Sequence, residues 1–284
     1  MTLGRDAPRA SRKGGNMAGV SVKVAQRITA GIKKFQPILA AAKARDVNES
    51  DTVVIVTDVL HEVFGYEKYS DITSEHMIKS TFCDLAIKLD GRLALLIEVK
   101  AVGTELKDLH VKQAVDYAAN QGCDWVALTN GICWRVYRVI FGKPIEHELV
   151  VDMHLLDLRP RVDADIEIAA LLAKEGWQKE RLGEYQSQRQ ALSRFMIGAV
   201  VMSSPVVDMV RRQLRRISPD AKIDSDEIVK VLQDEVLKRD VVEGDKATAA
   251  RKTVARAESR ALKAKGHKQE SSDETSVDLI AEVP

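Results

Sequence analysis

Aromatic side chains are scarce in this 284-residue chain, at 5%. A surface on which successive bases of a single strand stack needs many of them, so that mode of nucleic-acid binding is disfavoured. Net charge is nearly absent: 43 Lys and Arg stand against 42 Asp and Glu, a formal +1. Any contact with a polyanion has to come from a local patch and not from bulk charge. Only three cysteines occur, Cys83, Cys123 and Cys133, and none form a C-x-x-C pair. That pattern fits free thiols in a reducing compartment. The six histidines lack H-x-x-x-H spacing and cysteine partners, which argues against zinc. No apolar run approaches the roughly 20 residues that span a bilayer. The opening stretch MTLGRDAPRASRKGGN has no apolar segment of the kind a secretory signal carries. A G-x-x-x-x-G-K-[ST] phosphate loop is missing as well, since Gly142-Lys143 is followed by Pro144. The expected protein is cytoplasmic, off the membrane and independent of ATP.

What is present is enough apolar residue for a core, 45%. Helical spacing over 21–45 puts Val24, Ile28, Ile32, Phe35 and Leu39 on one stripe, with a kink expected at Pro37. Asn48 to Asp51 supply capping types for a second helix over roughly 51–64, with Val53, Val56, Leu60 and Phe64 inward and Gly65 as its stop. Strands follow at 72–78, 81–89 and 92–100, then a helix over 107–122. A hairpin centred on Asn130-Gly131 and a further strand over 147–156 complete the block. The order α, α, β, β, β, α, β, β, β predicts an α/β fold, a mixed sheet flanked by helices. After Arg159-Pro160 every segment reads as helix. One or two helices are expected over 163–202, one over 205–217, and one from the Asp224/Glu227 capping box to about 239. The expected division is a disordered N-terminus over 1–19, a sheet domain over 20–158, a helical domain over 159–240, and a basic helix with a flexible acidic tail over 241–284.

The stretch CDLAIKLDGRLALLIEVK, 83–100, carries charge where buried strands should be apolar. By the two-residue period, Cys83, Leu85, Ile87 and Leu89 share one face of the first strand, and Phe82, Asp84, Ala86 and Lys88 the other. In the second strand Leu93, Leu95, Ile97 and Val99 face one way, and Glu98 and Lys100 the other. A two-residue loop at Asp90-Gly91 with regular pairing would set the apolar faces on opposite sides. An odd loop or a bulge is therefore expected, which would bring Asp84, Glu98 and Lys100 to one side. Two carboxylates and a lysine suit a hard divalent cation with open positions for water and phosphate oxygens. A partly exposed strand bearing a salt bridge would show the same spacing.

At these residues the chain resembles the PD-(D/E)xK nuclease superfamily, with Cys83-Asp84 where Pro-Asp is usual and Glu98-Val99-Lys100 as the second element. Gln113-Ala-Val-Asp-Tyr117 is similar to the Q-x-x-x-Y motif of the N-terminal nuclease domain of type I restriction enzyme R subunits, and TNGICWRVYRV looks like the hairpin that follows it. The resemblance covers roughly 50–155. It implies a restriction-endonuclease-like sheet and a metal-dependent DNA endonuclease serving restriction-modification, bacterial or phage-derived. Asp84, Glu98 and the Val99 carbonyl would hold Mg²⁺, with Mn²⁺ as the alternative ion, and Glu62 on the preceding helix would assist. Lys100 would position the attacking water, and Gln113 and Tyr117, spaced i, i+4, would face one way and contact DNA or order the site. Lys88 and Lys112 are candidate phosphate contacts. So are Arg211, Arg212, Arg215 and Arg216, on the polar side of a helix whose apolar side is Val206, Val207, Val210, Leu214 and Ile217. A solvated face reads the same way. A homodimer through the helical C-terminal region would bring together two sites for double-strand cleavage. The alternative is a catalytically silent protein of the same fold that binds nucleic acid or recruits a partner.

Overall fold

The computed structural model describes residues 20–78 and 81–277, with side chains for 20–74 and 83–261. The disordered N-terminus expected over 1–19 lies outside the described residues. The chain forms two compact units, Met1–Glu184 and Tyr185–Pro284.

In the first unit, helix α1 spans Val22–Ala44 and starts at Ser21, whose Oγ accepts the Val24 N–H. Its buried stripe is the expected one, Val24, Ile28, Ile32, Phe35 and Leu39, and Pro37 lies inside the helix. Gly31 is required where α1 passes Val63: a Cβ there would sit 2.7 Å from Val63 Cγ2. Helix α2 spans Glu49–Glu62. Asn48 Oδ1 accepts the Asp51 N–H at 2.9 Å, satisfying one of the orphan donors of the first turn. The first inward position is Thr52 and not Val53.

Six strands follow: β1 Ile72–Ile78, β2 Thr81–Leu89, β3 Arg92–Val99, β4 Trp125–Thr129, β5 Cys133–Ile140 and β6 Glu146–His154. They lie in the sheet in chain order, and only β3 and β4 run parallel. A parallel pair needs a crossover, and helix α3, Asp108–Gln121, supplies it, ending at a left-handed Gly122. One face of the sheet presents Ala86, Leu96, Val126 and Leu128 to Val111, Ala114, Val115, Tyr117 and Ala118 of α3. Leu85, Ile87, Leu95, Ile97 and Val99 are buried on the other face.

The β2–β3 hairpin resolves the parity problem by a bulge. Asp90 (φ 50°) and Gly91 (φ 76°) form a two-residue turn that pairs Leu89 with Arg92. Both central residues have positive φ, the turn whose twist matches that of the strands. Pairing then shifts: Lys88 faces Leu93, but Ile87 faces Leu95, so Ala94 is the extra residue. The bulge also turns Leu93 to the α3 side, against the alternation expected from its neighbours.

Residues beyond Arg159-Pro160 still belong to the first unit. Helices α4 (Asp163–Ala170) and α5 (Lys174–Gln178) follow β6. Lys174 Nζ meets Asp71 Oδ2 at 2.6 Å, and Glu175 takes both ends of the Arg27 guanidinium at 2.6 and 2.7 Å. These long-range pairs carry the unit past the boundary that Pro160 suggested. Where one or two helices were expected over 163–202 there are four, because α6 (Arg181–Ala191) and α7 (Arg194–Val201) are also separate. Ser193 starts α7 by accepting the Met196 N–H at 3.2 Å.

In the second unit, α8 spans Ser204–Ile217 and α9 spans Ser225–Val231. The Asp224/Glu227 capping box forms as expected, but the helix does not reach 239, since Leu232–Val236 winds as a π turn. A short α10, Arg239–Val242, precedes α11, Asp245–Val277. Helix α11 thus runs on into the first part of the stretch expected to be a flexible acidic tail. Residues 278–284 lie outside the described residues.

Candidate active site

The site lies where β2 and β3 part. Their ladder ends at Leu85 and Ile97. Just beyond that end, Asp84 reaches the backbone of β3 and lies close enough to Glu98 for their charges to interact. Val99 N–H donates to Asp84 Oδ2 at 2.7 Å, so a side chain replaces a rung of the ladder. Cys83 fastens the same place by donating its thiol hydrogen to Ile97 O at 3.1 Å. Burial, with the charges of Glu98 and Asp84, pushes that thiol up to about 12, so it stays a neutral donor and not a nucleophile.

Glu98 is 6% exposed. Burial raises its carboxyl pKa and Asp84 adds to the rise, while Lys100 pulls against both. Lys100 Nζ donates to Glu98 Oε1 at 2.7 Å and lies 3.5 Å from Glu49 Oε2. Burial works against the charge of Lys100, but Glu98, Glu49 and Asp84 together outweigh it and raise its pKa. The structure therefore gathers Asp84, Glu98 and Lys100, and adds Glu49.

Glu49 is the residue that sequence reasoning missed. It sits in the capping run Asn48-Glu49-Ser50-Asp51, where an acid is accounted for by the helix dipole alone. Glu62, the acid expected to assist a metal, is a correction. It lies at the other end of α2, about 20 Å along the axis at 1.5 Å per residue, and pairs with Lys34. The helix was read correctly and its end was not, because only tertiary packing decides which end meets the sheet.

The other expected residues divide. On α3, Gln113 is exposed whereas Tyr117 is 4% exposed and packs in the core with Cys83 and Ala86, so the pair straddles the core boundary and does not share one surface. Burial raises the Tyr117 pKa. Val99 is buried, with its N–H on Asp84. Lys88 stands at the hairpin end of β2, about 13 Å from Asp84 at strand rise, and so is not brought to the site. Lys112 is exposed on α3. The four arginines lie on α8 in the second unit, where Arg211 pairs with Asp208 at 3.0 Å and Arg215 donates to Ile223 O at 3.3 Å. Of the apolar side expected for α8, only Val207 is buried, and Ile217 is 77% exposed.

Among the described residues no three His, Cys, Asp or Glu side chains are gathered as a metal cage. A pair of carboxylates on one face suits a different kind of ion. A small hard cation keeps most of its water and takes one or two carboxylates with phosphate oxygens. Asp84 and Glu98 fit that donor set, and their mutual repulsion, felt in the raised Glu98 pKa, is what a cation would relieve.

Residues 55–150 match the family model of the type I restriction enzyme R protein N terminus (HSDR_N). This segment resembles that N terminus. No curated protein and no solved structure matches the chain. Asp84, Glu98, Lys100, Gln113 and Tyr117 fall within the matched segment, and Glu49 lies just upstream of it. Among the described residues no helix is long and apolar enough to cross a membrane.

Proposed function

We propose that the protein is a Mg²⁺-dependent DNA endonuclease working without ATP, with the split between β2 and β3 as its catalytic site. The observation that carries this reading is the meeting of Asp84, Glu98 and Lys100 at one point of a segment that matches a restriction-enzyme family. Asp84 and Glu98 would hold the cation. When bound, the cation would lower the pKa of a water and offset phosphate charge. Lys100 would donate to that water and place a positive charge beside the phosphate, where negative charge develops during in-line attack. Glu49, from a different element, lies 3.5 Å from the same ammonium and adds to its placement. The scissile bond would be the one to the 3′ oxygen, leaving a 5′ phosphate.

The test is a cleavage assay on supercoiled plasmid, linear duplex and single strands, with Mg²⁺ or Mn²⁺ and no ATP. Metal-dependent nicking that disappears in Asp84→Asn and Lys100→Ala supports the reading. No cutting, together with salt-sensitive DNA binding by the wild type, would favour the silent binding protein.

A further inference from the structure

The chain that follows Lys100 is held at every second residue. Lys100 N–H donates to Thr129 O at 2.8 Å. Val102 N–H donates to Thr52 Oγ1 at 3.1 Å. Asn130 Nδ2 donates to Thr104 O at 2.9 Å, and Arg135 Nη1 to Leu106 O at 2.8 Å. The partners come from β4, α2, the β4–β5 turn and β5. A connection from a strand to a helix is ordinarily among the looser parts of a domain. This one is fixed along its length, between the residues of β3 that carry the charge and the start of α3.

Among these partners Thr52 is the one that reaches back to the site. It is 0% exposed. Its hydroxyl donates to Asn48 O at 2.6 Å and accepts from Val102 N–H, which uses both its roles. A threonine inside a helix commonly bonds the carbonyl one turn back, and Thr57 does so with Val53 O at 2.8 Å. Thr52 adds a second bond, to a backbone amide on a distant segment. Glu49 follows Asn48 in the same turn, and it faces Lys100 at 3.5 Å. The hydroxyl thus joins the turn that carries Glu49 to the backbone two residues past Lys100. The Lys100 ammonium is placed by two carboxylates. Glu98 is set by the β3–β4 ladder, where it pairs with Leu128. Glu49 is set by the first turn of α2, and Thr52 fixes that turn against the loop.

We infer that Thr52 is a positioning residue for Lys100, acting through Glu49 and the Val102 amide and touching no substrate. This rests on the nuclease reading. Valine is close to threonine in shape and lacks the hydroxyl, and serine keeps the hydroxyl. In Thr52→Val the kcat for plasmid nicking is expected to fall about tenfold or more, as misplacement of a catalytic group does. The KM for DNA is expected to stay within about twofold, because ground-state binding is untouched. Thr52→Ser is expected to restore kcat. In a Glu49→Gln background Thr52→Val is expected to add little, since the two changes act through one contact.

Hydrogen exchange of residues 100–106 is measured on the same proteins, with the melting temperature as the control for global unfolding. Equal kcat in wild type and Thr52→Val overturns the inference. A loss that serine does not restore, or one that adds in full to Glu49→Gln, also overturns it, because a merely structural role would do either. If the wild type does not cleave, the nuclease reading has failed and exchange alone decides. Faster exchange at Val102 in Thr52→Val, restored in Thr52→Ser, then upholds the tether, and unchanged exchange overturns it.

Discussion

Helices α3 and α8 are both 14 residues long, and they meet opposite fates. By sequence α8 separates its residues more sharply, with four arginines against a stripe of valine, leucine and isoleucine. Yet α3 buries five residues and α8 buries only Val207. Connectivity makes the difference. Helix α3 joins two adjacent parallel strands, and a crossover of that kind has to lie on the sheet. Nothing of the sort constrains α8, whose neighbour in sequence is another short helix. A sharp separation of apolar and basic residues states what a helix could cover. Topology decides whether it does.

That contrast can be broken at single residues. The largest expected effect is Val111→Asp on α3, which buries a charge without a partner and should cost about 4 kcal/mol. Urea unfolding should show the protein largely unfolded or far less stable. Next comes Lys100→Ala, expected to reduce metal-dependent nicking on the order of a hundredfold and to lower the urea midpoint less than Val111→Asp does, since buried Glu98 loses its ammonium partner. A smaller effect is expected at Glu175. The Arg27 guanidinium holds its carboxyl below the usual range, with burial opposing it. A depressed folded pKa gives stability that is present above the unfolded value of about 4.3 and is lost as pH falls below it. Wild type should therefore melt above Glu175→Gln at pH 7, and the gap should close as pH falls through the depressed folded value. A gap that widens with acid would reverse the assignment. Smallest is Ile217→Asp on α8, expected to change stability by no more than about 0.5 kcal/mol. A loss comparable to that of Val111→Asp would mean the exposed end of α8 is covered in solution.

How much could be read from the sequence follows the same division. The strand pair was legible because its period is two and its charges fall on one face. Even the bulge was legible, since Asp90-Gly91 with regular pairing would have opposed the apolar faces. Thr52 and Glu49 were not. A threonine counts as polar in an apolar stripe, and an acid in a first turn is explained by the cap. Thr52 acquires its second partner, and Glu49 its lysine, only when Lys100 and the loop after it come back across α2. Residues 159–184 were assigned to the helical region for a related reason: their helical spacing is plain, but the pairs Lys174–Asp71 and Glu175–Arg27 join segments about a hundred residues or more apart in the chain. Local pattern reports faces, and long-range closure reports neighbours.

The replacement of a ladder rung by Asp84 has a consequence for mutational drift. The same carboxylate that would hold a cation also accepts the Val99 N–H. Most changes at position 84 remove both at once, so a lineage that abandoned the chemistry would lose stability with it. Asparagine is the exception, for its amide oxygen can accept the same hydrogen without the charge. A silent descendant of this fold should therefore pass through asparagine at this position before the rest of the site decays.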